Sequence, residues 1–123
     1  MQNQSLKSKI KLKDRAFRYS IKIIEFIDTL PKDTSSQIIA KQLLRSATSV
    51  GANIIEAQAS SSKRDFTNFF SHSLKSANES LYWLELLRDA KKMNNTQLEY
   101  LLGETKELAN ILGSSILTLK GKK

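Results

Sequence analysis

Cysteine is absent from this 123-residue chain, and proline occurs once and glycine four times. Without cysteine there are no disulfides and no thiolate metal sites, which fits a reducing compartment. So little proline and glycine leaves few turns for a many-stranded β fold. No apolar run approaches the roughly 18 residues that span a bilayer. The stretch from Met1 to Lys13 is polar and lysine-rich and lacks the apolar core of a signal peptide. These absences lead us to expect a cytoplasmic protein with no membrane partner.

The parts of familiar catalytic sites are missing too. His72 is the single histidine, and the residue three before it is Phe69, so a Glu-x-x-His di-metal motif fails. There is no His-x-x-x-His pair, no glycine-rich phosphate loop and no nucleophile elbow. The expectation is a protein that is not an enzyme, with no cofactor, no metal and no catalytic residue, and with His72 on the surface or rim.

What is present is ordinary for a globular chain: 40% hydrophobic and 26% charged residues. Charge is less ordinary. The net value is +8, from 20 basic and 12 acidic residues. Lys7, Lys9, Lys11, Lys13 and Arg15 crowd the start against Asp14 alone, and Lys120, Lys122 and Lys123 close the chain. Basic ends of this kind suit a polyanion, nucleic acid before membrane, and equally suit a solubilising terminus.

Four segments carry helical period. The first runs from about Asp14 to Leu30, with Ala16, Ser20, Ile23, Ile27 and Leu30 as its stripe, widened by Phe17, Ile21 and Ile24, and Pro31 stops it. The second runs from about Ser35 to Ser60 behind a capping box of Thr34 and Gln37. The third runs from Lys63 to about Lys91, with Ser62 as N-cap and the seam Phe66, Phe70, Ser73, Ala77, Ser80, Leu84 and Leu87. The fourth runs from Gln97 to about Leu119 behind a capping box of Thr96 and Glu99. Its seam is Leu98, Leu101, Thr105, Leu108, Leu112, Ser115 and Leu119, in alternating steps of three and four. Short connections between long helices predict an all-α, antiparallel up-down-up-down four-helix bundle over residues 14–119, with basic tails at 1–13 and 120–123.

The second segment has two apolar faces. At 100° per residue, Ile39, Leu43, Ala47, Val50, Ile54 and Ala57 fall on one side, and Leu44, Thr48, Ala52, Ile55 and Ala59 nearly opposite. The polar stripe of Gln42, Arg45, Ser49, Asn53 and Glu56 lies between them. One face serves the bundle core; the other predicts an oligomer interface, the alternative being a helix central in its own bundle or a tolerated patch of small residues. Arg45 and Glu56 need partners, with Asn53, Ser49, Glu79 and Glu85 as candidates, and the stripe reads as a structural device that sets register. Phe66, Phe69, Phe70 and Trp83 are read as core and not as base-stacking platforms. Tyr82 and Leu86 are placed on the outer face.

The run KQLLRSATSVGANIIEA over residues 41–57 resembles the signature of the four-helix bundle proteins also called 23S ribosomal RNA intervening-sequence proteins. SSKRDF at 61–66 and SANESLYWLELL at 76–87 are similar to their third helix, in the same order and spacing. Arg45, Ser49, Asn53 and Glu56 match the motif position by position, whereas Ala57 stands where many members have glycine. The resemblance implies a homopentameric ring. It also implies a relation to the accessory variability protein of diversity-generating retroelements, a basic pentamer that works with a reverse transcriptase and RNA. The expected function is an oligomeric accessory protein that binds structured RNA through Lys7, Lys9, Lys11, Lys13, Arg15, Lys63, Arg64, Lys120, Lys122 and Lys123. Its expected partners are itself and RNA or a reverse transcriptase–RNA complex. The alternative is a protein-interaction scaffold whose charge is incidental.

Overall fold

The computed structural model describes residues 11–122, and among these it contains four α-helices and no strand. They are α1 (Leu12–Ile27), α2 (Thr34–Ala59), α3 (Lys63–Ala90) and α4 (Thr96–Leu119). Each packs against two others, in the cycle α1–α2–α3–α4. Along the α2–α3 pair, Asp33 meets Lys91, Ser46 meets Ser80, and Val50 meets Ser73.

Helix starts follow side-chain chemistry. Ser62 caps α3 by accepting from the amide of Asp65, as expected. For α2 and α4 the cap lies one residue earlier than the capping boxes predict. Asp33 accepts from the Ser36 amide, and Asn95 accepts from the Leu98 amide. Both sequences offer two adjacent cap-forming residues, and the carboxylate and the amide oxygen take the position ahead of the threonines. Gln37 instead donates to the carbonyl of Pro31. Helix α1 ends at Ile27, not Leu30: the amides of Thr29 and Leu30 bond to Phe26 and Ile27, three residues back, which tightens the last turn while keeping Leu30 buried.

The α3 and α4 seams lie where periodicity puts them except at the ends: Phe66 and Leu119 are half-buried, and Ile116 is buried in place of the expected Ser115. Phe70, Ser73, Ala77, Ser80, Leu84 and Leu87 are buried on α3, and Leu98, Leu101, Thr105, Leu108 and Leu112 on α4. On α2, Leu43, Ala47, Val50, Ile54 and Ala57 face the core. Helix α1 differs from expectation. Its buried line is Ala16, Tyr19, Ile23 and Phe26, whereas Phe17, Ile21 and Ile24 point to solvent, Phe17 at 66% exposure. This helix is apolar around so much of its circumference that period alone cannot centre the stripe; the two flanking helices do. Leu12 packs against both core clusters, so α1 and the bundle begin two residues before the predicted boundary at residue 14.

A polar layer sits near the border of the two apolar clusters. Thr105 spends its one hydroxyl hydrogen on the Leu101 carbonyl, at 2.6 Å, so the Tyr19 hydroxyl donates to Thr105 Oγ1, also at 2.6 Å. Ser80 donates to Ser76 and accepts from Ser46 at 2.8 Å, and Ser73 donates to the Val50 carbonyl. Beside this layer, Arg15 reaches Glu104 through two hydrogen bonds of 2.8 and 2.9 Å and meets Glu107 at 2.8 Å.

Candidate nucleic-acid interface

The predicted contact residues are scattered in sequence, and the fold gathers those it describes at one end. Ser60, Ser61, Ser62, Lys63, Phe66 and Leu119 line one cleft of about 350 Å³. Leu12, Phe66, Phe70 and Leu119 contribute to an adjoining one of about 470 Å³. Leu12 and Leu119 therefore meet around the same phenylalanines. Lys11 and Lys13 flank Leu12, Lys63 and Arg64 open α3, and Lys120 and Lys122 follow Leu119. All six belong to this end of the bundle. Lys7, Lys9 and Lys123 lie outside the described residues.

Arg15 does not join this group. Its guanidinium is buried and held by Glu104 and Glu107, and the hydrogen bonds it donates to Glu104 keep its pKa above the ordinary value against the lowering effect of burial. Freeing it for a phosphate would strand Glu104 inside the bundle, which is costly. The sequence carries no local signal of this pairing, because the partners are 89 residues apart.

Among the described residues no ion pair engages Lys11, Lys13, Lys63, Arg64, Lys120 or Lys122. Three carboxylates, those of Asp14, Glu56 and Asp65, share their helix ends, so six cations face three anions. The opposite end is neutralised internally. Lys91 binds Asp33 at 2.6 Å and holds that carboxyl well below the usual range, and Arg88 pairs with Asp89. Positive charge is thus most concentrated at the first end, where Ser60, Ser61 and Ser62 border the clefts.

The α2 polar stripe is largely local. Arg45 bonds to Glu79 at 2.8 Å and to Gln42, Ser49 bonds back to the Arg45 carbonyl, and Asn53 to that of Ser49. Glu79 also accepts from the Trp83 indole, tying the stripe to α3. Glu56 is exposed. The second α2 face points outward: Ala52, Ile55 and Ala59 are exposed, and Leu44 and Thr48 half-buried. His72 and Tyr82 are exposed, Leu86 is half-buried, and Phe66, Phe69 and Trp83 pack on the core with one edge to solvent. Among the described residues no group of three or more His, Cys, Asp and Glu side chains is placed to hold a metal, and no helix is long and apolar enough to cross a membrane.

Comparison with known proteins adds three findings. The model of a family described as 23S rRNA-intervening sequence protein matches residues 8–114. A crystal structure of a protein with unknown function from the S23 ribosomal protein family of Bacteroides thetaiotaomicron VPI-5482 is similar at a TM-score of 0.79 and 36% identity, covering 86% of this chain and 98% of that one. No curated protein matches.

Proposed function

The chain belongs to the family of 23S rRNA-intervening sequence proteins, and from that premise we propose that it is a non-enzymatic accessory protein of the cytoplasm that binds structured RNA. In this reading the antiparallel bundle assembles into a ring, a homopentamer, and each subunit offers its basic end to the phosphates. The single observation that carries it is the meeting of Lys11, Lys13, Lys63, Arg64, Lys120 and Lys122 at one end with no carboxylate bound to any of them. Repetition around a ring raises the effective concentration of each further contact, so weak individual sites sum to useful avidity. A reverse transcriptase–RNA complex is the partner that the resemblance to retroelement accessory proteins suggests.

The test is salt-dependent binding to RNAs of unrelated sequence. Log affinity should fall with log salt by roughly 0.7–0.9 per phosphate neutralised. Removing residues 1–10, which stops short of Leu12 and the core, should weaken binding to all sequences alike and flatten the slope. The double variant Lys63→Ala, Arg64→Ala should do the same, since phosphate contacts position without specifying. Unchanged affinity and slope in both variants would assign the charge to solubility alone. No affinity at low salt would favour the second reading, a protein-interaction scaffold, for which the exposed Phe17, Ile21, Ile24 and Ile55 speak.

A further inference from the structure

Among the described residues eight large apolar side chains are exposed, and they are not spread evenly. Ala16 of α1 touches the position of Gly51 on α2, while Arg15 faces α4. One residue on from Ala16, Phe17 turns away from α4 and outward beside α2, and Ile21 and Ile24 follow it up the helix. Ala52 and Ile55 turn outward from Gly51 in the same way. The two stripes merge into one apolar ridge along the α1–α2 side.

Helix α4 shows the converse. Gly103 and Gly113 lie inside it, and a Cβ on either would meet nothing within 4 Å. A mid-helix glycine weakens a helix relative to alanine, and the usual compensation is close approach of another backbone. Gly51 has such a neighbour, with Ala16 Cβ 3.5 Å from its ideal Cβ position; Gly103 and Gly113 have none within the subunit. The exposed residues Tyr100, Gly103, Lys106, Asn110 and Leu117 share the outward side of α4, with Lys106 at its edge. Between α1 and α4 a groove of about 350 Å³, walled by Tyr100 and Leu101, continues this side. One chain therefore carries a ridge of large side chains and, on a different side, a face with glycine hollows.

A closed ring of more than two copies requires two different, mutually complementary patches on each subunit, because its contacts run head to tail. We infer that the α1–α2 ridge of one subunit, Phe17, Ile21, Ile24 and Ile55, packs on the glycine-bearing outer face of α4 in the next copy of this chain. The inference rests on the ring reading above and assigns both halves of its contact. Levels along the bundle agree with it. Lys22, Glu25 and Tyr100 line one groove, which sets Ile24 near the level of Tyr100, and the Tyr19–Thr105 hydrogen bond sets Ile21 near the level of Gly103.

The chain has no cysteine, so introduced thiols report without background. Native mass spectrometry first establishes the oligomer. The double variant Ile21→Cys, Gly103→Cys should then oxidise to a covalent ladder that climbs to the full ring on a denaturing gel, while each single variant gives no linked species. Gly103→Leu fills open space on the subunit, so its helical circular dichroism should be kept while the concentration for half-dissociation rises at least tenfold. A native monomer overturns the ring reading and this inference together. A native oligomer with no ladder, with dimers from Ile21→Cys alone, or with assembly untouched by Gly103→Leu overturns only the assignment of faces.

Discussion

Tyr19 shows how one side chain records the tertiary structure. Burial pushes its phenol up to about 12. In the unfolded chain the same group titrates near 10. Between pH 10 and 12 the folded form therefore binds more protons than the unfolded one, and stability must fall as pH rises through that window. The loss is of order 2–3 kcal/mol. Denaturant titrations at pH 9, 10 and 11 should show about half of it in the natural chain and none in Tyr19→Phe, which cannot ionise. Equal slopes in both proteins would mean that Tyr19 reaches water. Nothing in the sequence flags this residue, because its neighbours Ser20 and Ile27 fit a stripe as well as Tyr19 and Phe26 do.

At the scale of the helix, periodicity was informative in proportion to contrast. Helices α3 and α4 alternate apolar and charged positions, and their seams lie where spacing puts them. Helix α1 has an apolar arc wider than the two flanking helices cover, so Phe17, Ile21 and Ile24 look like core and are surface. Gly51 makes a related point. A glycine inside a helix is often kept for close packing, yet here the structure leaves ordinary van der Waals distance, 3.5 Å, between a Cβ at position 51 and Ala16. Gly51→Ala should then stabilise the protein by up to about 1 kcal/mol, the helix-propensity difference. Thermal denaturation reads this directly, and a fall in the midpoint would show that α1 and α2 cannot yield even a few tenths of an ångström.

At the scale of the whole molecule, the outward face of α2 and the basic end carry the proposals. Ile55 is half exposed in the subunit, so Ile55→Asp leaves the subunit core untouched. In a subunit contact the same carboxylate is buried without a partner, a cost of several kcal/mol. Native mass spectrometry should find the natural chain as one dominant oligomer and Ile55→Asp shifted to smaller species with unchanged helix content. An oligomer indifferent to this substitution would place the contact elsewhere.

The sequence by itself determined the number of helices, the seams of α3 and α4, the two faces of α2 and the family, because these depend on local spacing and on ordered motifs. It also held the charges of the basic end, but as three separate clusters near residues 11, 63 and 120. Only the tertiary structure decided that Lys11, Lys63 and Lys120 are neighbours, that Arg15 belongs to Glu104, and which α2 face is core. The physical reason is the same in each case. Helical period fixes how residues are arranged around one axis, whereas the distance between side chains on different axes is set by how whole helices pack, and that is a property of all four faces at once.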